Sequence, residues 1–227
     1  TLRVFIKSTM DSYQNIFFDL DGTITDSGNG ITNSVAYALK KYDIHIENHS
    51  ELRKFIGPPL TQSFEKFYHF TPKDAKQAVE YYREYYADKG IFENYVFDGI
   101  EELLHELKVK DKTLIVATSK PEYYANIIIK HFKLDSHFSL VAGSHMDGTR
   151  VKKNEIIQYA MSALNIKHPN DSIMIGDREF DIIGAKKNQM KSIGVLFGFG
   201  NKNELEQAGA DYIVNTVEDL SNLILTK

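Results

Sequence analysis

Hydrophobic residues fall into two rhythms along this chain. Short, largely apolar runs recur at Ile16-Phe17-Phe18, Leu114 to Ala117, Ile173 to Ile175, Ser192 to Val195 and Tyr212 to Val214. Runs of this length predict strands buried on both faces, as in a parallel sheet. Between them lie segments that read as helices: Gly99 to Leu107, Glu122 to Phe132, Asn154 to Leu164, Phe180 to Asn188 and Asn203 to Ala208. A further strand is expected at Phe138 to Ala142. Strand alternating with helix argues for an α/β fold with a doubly wound, Rossmann-like parallel sheet.

The alternation stops between about Gly28 and Tyr95, where only helical spacing remains. Ile31, Val35, Leu39 and Tyr42 share one helical face, as do Leu60, Phe64 and Phe67, and then Val79, Tyr82 and Tyr86. Ser50 can cap a short helix through Phe55, and Gly57-Pro58-Pro59 then breaks the chain. Thr71-Pro72 is an N-cap followed by proline at the first helical position. The pattern predicts a four-helix cap at 28–95 inserted into a core made of 10–27 and 96–227, with hinges near Ser27 and Phe97. Residues 1–9 precede Met10, fit no element, and are read as vector-derived or upstream residues.

Composition narrows the classes without choosing among them. The 227 residues suffice for one sizeable core plus a small insert, and 42% are hydrophobic. A net charge of -4 gives no sign of nucleic-acid binding. With no cysteine there is neither disulfide nor thiol chemistry. No apolar run approaches membrane-spanning length, and the N-terminus lacks a secretory pattern. A cytoplasmic monomer or weak homo-oligomer, with no nucleic-acid or membrane partner, is the default expectation.

The chemistry concentrates where the first apolar run ends. Asp19 and Asp21 flank one residue, so an extended backbone turns both to one side of the sheet. Open α/β sheets place their ligands at the carboxyl ends of strands. Two carboxylates held together repel unless a cation or a proton lies between them. A calcium loop would need an acid at the twelfth position, which here is Gly30.

Asp19-Leu20-Asp21-Gly22-Thr23, extended by Asp26-Ser27, resembles the first motif of the haloacid dehalogenase-like phosphatases that carry a helical cap. Three further motifs follow in order. Thr118-Ser119-Lys120-Pro121 resembles the second and Lys152-Lys153-Asn154-Glu155 the third, while Gly176-Asp177-Arg178-Glu179-Phe180-Asp181 resembles the fourth. The resemblance covers nearly the whole chain. It implies a magnesium-dependent phosphomonoester hydrolase working through an aspartyl phosphate. Asp19 would be the nucleophile and Asp21 the general acid and base. Thr118, Ser119 and Lys153 would bind the phosphoryl group. Mg2+ would be held by the carboxylates of Asp19 and Asp177 and the main-chain carbonyl of Asp21, with Asp181 orienting the site. Lys152 competes for the third motif, and Lys153 is favoured by its spacing to Glu155.

Among relatives the chain looks most like phosphoglycolate phosphatases, through Phe55 to Leu60 and Phe197-Gly198-Phe199-Gly200. The expected partner is a small phosphorylated metabolite. The insert carries nine basic and nine acidic residues, so selectivity should rest on a few placed groups. Arg53 or Lys54, beside the stiff turn at Gly57, would favour a second anionic group on the substrate. A 5'-nucleotidase, an inorganic pyrophosphatase and a sugar-phosphate mutase on the same scaffold are the alternatives, and a phosphate-binding module without turnover is the non-enzymatic one. His45 and His49 lie four apart but lack a third zinc ligand. Gly198-Phe199-Gly200 lacks the third glycine of a dinucleotide fingerprint, and the tyrosine pairs at 81–82 and 85–86 are expected to pack the cap.

Overall fold

The computed structural model describes Met10 and residues 12–225. Residues 1–9, read above as lying upstream of the fold, are outside the described residues. The described chain divides into two compact units, Thr25–Tyr95 and a core that runs up to Ile24 and resumes at Val96.

The strands in chain order are β1 (Asn15–Phe18), β2 (Thr25–Asp26), β3 (Tyr95–Val96), β4 (Thr113–Pro121), β5 (Leu140–Ser144), β6 (Ser172–Gly176), β7 (Lys191–Val195) and β8 (Tyr212–Val214). Six of them form one sheet in the order β5-β4-β1-β6-β7-β8. Every pairing in it is parallel. β1 is central, with Phe18 opposite Val116 on one side and Ile175 on the other. From β1 the chain winds outward in both directions, so the order reverses beside β1. That reversal opens a crevice at the carboxyl ends of β1, β4 and β6. Phe17, Ile115 and Met174 lie side by side in this register and pack with Ile156, Ile157 and Ala185 in one buried cluster. Burial on both faces is why these strands read as continuous apolar runs.

Most element ends lie within two residues of the sequence expectation. β5 begins at Leu140 rather than Phe138, because Asp135–His137 forms a 3-10 turn that delays the strand. A last helix, Val217–Leu225, was not expected. It buries Leu220 and Ile224, four residues apart, and packs on the helix Ile100–Val109. Its sequence signal is Thr216, whose hydroxyl accepts the N–H of Asp219 at 3.0 Å.

The Thr25–Tyr95 unit has its own core. Its α-helices are Gly28–Lys40, Leu60–Tyr68 and Pro72–Asp88, and the remaining expected helix is a 3-10 helix, His49–Phe55. Ser50 does not cap it. Asn48 does, accepting from Ser50 N at 3.1 Å, because an amide side chain one residue outside the turn reaches that N–H directly. Phe55 packs on Phe64 and Phe67, with centroids 5.0 and 5.5 Å away. Tyr82 and Tyr86 stack at 5.3 Å and are buried, and Tyr81 meets Tyr42 edge-on at 6.1 Å.

Candidate active site

Asp19 follows the last residue of β1, and its N–H extends the ladder to Ile175 O at 2.9 Å. Its side chain therefore emerges at the point where the strand order reverses. Oδ1 accepts from Leu20 N at 2.7 Å and from Lys153 Nζ at 2.8 Å. Lys153 Nζ also lies 2.8 Å from Asp181 Oδ1 and 2.8 Å from the carbonyl of Ala117 in β4. The ammonium thus sits among two carboxylates and one main-chain carbonyl. A lysine opening a helix, as Lys153 does for Lys153–Ala163, opposes the helix dipole. The carboxylates it reaches outweigh that cost.

Asp177 leaves the end of β6, and Asp181 sits in the first turn of the helix Glu179–Lys187 that follows. Asp181 Oδ2 accepts the N–H of Arg178 at 3.1 Å, closing the helix start. Asp177 Oδ2 accepts Phe199 N at 2.7 Å, while its Oδ1 is buried with no hydrogen-bond partner. Gly22 turns the chain after Asp21 with φ at +84°, and a Cβ there would come 2.3 Å from Asp177 Oδ2. Only glycine allows both the turn and that approach.

The electrostatics follow from burial. Asp19, Asp177 and Asp181 are all buried and place ligand atoms within 4.8 Å of one another. Burial pushes Asp177 well above the ordinary carboxylate range, and the charges of Asp181 and Asp19 push the same way. Burial also raises Asp19, against the opposing pull of Lys153. For Lys153 burial alone would lower the pKa, but Asp181 and Asp19 together more than reverse this and hold the ammonium charged. Ionised together, three carboxylates against one ammonium would leave two negative charges in a buried space, which is why Asp177 is pushed toward its neutral form in the absence of a cation. A hard divalent cation fits this set: all the side-chain donors are oxygen, the residual charge is matched, and Asp177 Oδ1 is unsatisfied.

The second strand end contributes Thr118, which is buried. The β4–β5 register shifts between Ala117 and Pro121, which lifts Thr118-Ser119-Lys120 out of the ladder. Thr118 Oγ1 accepts Lys120 N at 3.3 Å. Asp21 stands apart from the carboxylate cluster: its Oδ2 lies 3.0 Å from Lys120 Nζ, and its Oδ1 is buried without a hydrogen-bond partner.

Asp19, Asp177, Asp181 and Lys153 are thus brought together, with Thr118 on the adjoining strand and Asp21 two residues beyond Asp19. Lys152 points elsewhere: its side chain is 71% exposed and pairs with Glu155, whereas that of Lys153 is 3% exposed. Sequence reasoning missed Lys120 as the partner of Asp21, and although it singled out the glycine-rich turn Gly198-Phe199-Gly200, it missed the contact by which the central N–H of that turn holds Asp177. The second is invisible to local patterning, because 22 residues separate donor and acceptor. Arg53 and Gly57 belong to the Thr25–Tyr95 unit. Arg53 is exposed, and Gly57 has φ at +102°. Lys54 places its ammonium 4.8 Å from the ring centre of Phe67 and 5.4 Å from that of Tyr68. His45 and His49 are both exposed, and His49 Nδ1 lies 2.8 Å from Asn33 Oδ1. Neither enters a metal-ligand group among the described residues. No described helix is long and apolar enough to cross a membrane.

A family model described as haloacid dehalogenase-like hydrolase matches residues 16–195. The chain is 46% identical over 193 residues to a 5'-nucleotidase from Pseudomonas aeruginosa, spanning 85% of this chain and 87% of that protein. It is 32% identical over 216 residues to the tyrosine-protein kinase PtkA of Mycobacterium tuberculosis, spanning 94% of this chain and 73% of that one. A crystal structure of a predicted phosphatase from Clostridium acetobutylicum superposes with a TM-score of 0.91 at 53% identity, covering 94% of this chain and 98% of that one.

Proposed function

The chain belongs to the haloacid dehalogenase-like hydrolases, and on that premise we propose that it hydrolyses phosphomonoesters through a phosphorylated Asp19. The observation that carries the proposal is the Asp19 carboxylate at the strand-order reversal, held by Lys153 beside two further buried carboxylates, with a second acid two residues on. A carboxylate needs no deprotonation at neutral pH to act as a nucleophile. The hydrogen bonds to Asp19 fall on Oδ1, so Oδ2 is the oxygen that attacks phosphorus. As it does, Asp21 gives its proton to the leaving oxygen. Water then attacks the aspartyl phosphate, losing a proton to Asp21, and inorganic phosphate leaves with Asp19 regenerated. Lys153 Nζ, Thr118 Oγ1 and the N–H of Ser119 offset charge on the phosphoryl oxygens. Asp19 and Asp177, with the main-chain carbonyl of Asp21, would hold Mg2+, and Asp181 would steady Lys153 behind them. When bound, the ion supplies positive charge against carboxylate–phosphate repulsion. Hydrolysis of a chromogenic aryl phosphate tests the reading; a clean preparation with Mg2+ that turns over none of it overturns the proposal.

Asp21→Asn separates the second acid from the metal. The substitution keeps the main-chain carbonyl and removes the proton donor. Turnover of an alkyl phosphate should fall about 10² to 10⁴-fold, and that of an aryl phosphate with a good leaving group much less. Equal losses on both would place Asp21 in folding or metal binding instead.

For the substrate we infer a nucleoside 5'-monophosphate first, with the nucleoside as leaving group, supported by the nucleotidase relative at 46% identity. The small phosphorylated acid is the second reading, favoured by the exposed Arg53; the other candidate cation, Lys54, rests on aromatic rings. Steady-state kinetics on a nucleoside monophosphate, phosphoglycolate and an aryl phosphate should favour the nucleotide in kcat/KM by about tenfold or more, roughly 1.4 kcal/mol in transition-state binding. A preference for phosphoglycolate that Arg53→Ala abolishes would reverse the order.

A further inference from the structure

Glu122 and Arg150 form an ion pair beside β5, the edge strand of the main sheet, and the reaction as derived uses neither. Arg150 Nη2 lies 2.7 Å from Glu122 Oε2. The pair engages both backbone groups of Gly143 in β5: the Gly143 N–H donates to Glu122 Oε2 at 3.3 Å, and Arg150 Nε donates to the Gly143 carbonyl at 2.8 Å. The guanidinium carbon also lies 3.8 Å from the ring centre of Tyr159. Arg150 takes φ at +51°, a left-handed backbone that is uncommon for a long side chain. Such a conformation persists where surrounding contacts over-determine it.

What these contacts join is specific. Glu122 opens the helix that follows Thr118-Ser119-Lys120-Pro121. Gly143 packs directly on that segment, since a Cβ would come 2.6 Å from both Lys120 O and Glu122 N. Arg150 is three residues before Lys153, and Tyr159 lies on the helix that Lys153 opens. The phosphoryl-binding groups therefore sit on two separate segments, one at the end of β4 and one at the start of the helix Lys153–Ala163. Apart from the Lys153 ammonium itself, which reaches Ala117 O, the Glu122–Arg150 pair is a charged tie between them. It also lies outside the carboxylate cluster, so its removal leaves the metal donors in place.

We propose that Glu122 and Arg150 are positioning residues that set Thr118 and Ser119 against Lys153, so that a phosphoryl group meets all three donors at once. The proposal rests on the phosphatase reading. Its test compares wild type with Arg150→Ala, Arg150→Lys, Glu122→Gln and the double variant Arg150→Ala/Glu122→Gln. The readouts are kcat and KM on an aryl phosphate, inhibition by inorganic phosphate, the Mg2+ concentration for half-maximal activity, and thermal unfolding. A misplacement of about 1 Å costs up to about 10²-fold in rate. Arg150→Ala should accordingly lose between about tenfold and about 100-fold in kcat/KM and bind inorganic phosphate correspondingly more weakly, with the Mg2+ requirement unchanged. Arg150→Lys keeps the charge but not the fork, and should recover only part of the loss. The double variant should be no worse than Arg150→Ala, because residues acting as one unit are not additive.

Should Arg150→Ala fail to fold, Glu122→Gln and Arg150→Lys carry the same comparison. Variants that unfold at lower temperature yet bind phosphate as wild type does would assign the pair to stability alone and overturn the proposal, as would additive losses in the double variant. A wild type with no phosphatase activity removes the phosphatase reading and this inference with it. An active wild type with unaffected variants removes only the inference.

Discussion

Asp19→Asn protein should fold, bind phosphate weakly and turn over essentially nothing. The amide is nearly isosteric with the carboxylate, and its carbonyl oxygen can still accept from Leu20 N and Lys153, the two donors to Oδ1. Lys153 keeps Asp181 and the Ala117 carbonyl as partners, so no buried charge is stranded. Removing one of three carboxylates also relieves repulsion in the cluster, which leaves stability near that of wild type. What disappears is the lone pair that attacks phosphorus. Loss of a nucleophile that works with its neighbours as a unit costs roughly 10⁴ to 10⁶-fold in kcat. Steady-state hydrolysis by undeamidated protein measures the loss. Acid-quenched mass spectrometry adds an independent readout, because wild type should accumulate a phosphorylated Asp19 peptide and the variant none. Substantial turnover by verified Asp19→Asn, or a phosphorylated peptide elsewhere in the chain, would remove Asp19 from the mechanism.

Removal of divalent metal should abolish activity completely, and Mg2+ should restore it. Without a cation the buried cluster sets three mutually repelling carboxyl groups against one ammonium, and Asp177 Oδ1 has no partner. The charge on a bound substrate phosphate would add to that repulsion. Ca2+ should enter the same oxygen set and inhibit, because its looser, larger coordination does not hold donors in the compact octahedron that Mg2+ imposes. The same charge imbalance predicts a change in stability. A ligand present at about 100 times its dissociation constant adds about 2.7 kcal/mol to a folded state that alone binds it. Thermal unfolding should therefore shift upward with added Mg2+ in wild type and much less in Asp177→Asn. Full activity in excess chelator, or a thermal shift that Asp177→Asn leaves intact, would place the metal elsewhere or exclude it from the chemistry.

Much of this molecule is written in local pattern. β1, β4, β6 and β7 are buried through their middles, so their central residues are largely apolar and are recognisable as parallel strands. The helices of the Thr25–Tyr95 unit show one apolar face each, and Thr71 caps the helix Pro72–Asp88 as its sequence suggests, accepting from Asp74 N at 3.2 Å. The acids at the ends of β1 and β6 are legible for the same reason: a charged residue closing an apolar run stands out, and its position in the run says which end of the strand it occupies. The helix Val217–Leu225 carried a readable signal in Thr216 and the Leu220–Ile224 spacing, although the segment is short.

The rest depended on which strands become neighbours. Nothing local to Lys120 says that its ammonium meets Asp21, since that requires β4 to lie beside β1 with Phe18 opposite Val116. Nothing local to Phe199 points to Asp177, and nothing near Glu122 points to Arg150. For Lys152 and Lys153 the spacing to Glu155 ranks one above the other, but their contrast in surroundings comes from the packing. The sheet and the helix Lys153–Ala163 bury one against two carboxylates and leave the other in solvent. Sequence periodicity reports how each segment buries its own apolar face, which is a property of nearest neighbours along the chain. Strand order and register come from the packing of all segments together, and it is that packing that brings charges distant in sequence within 3 Å of one another and sets how each is compensated.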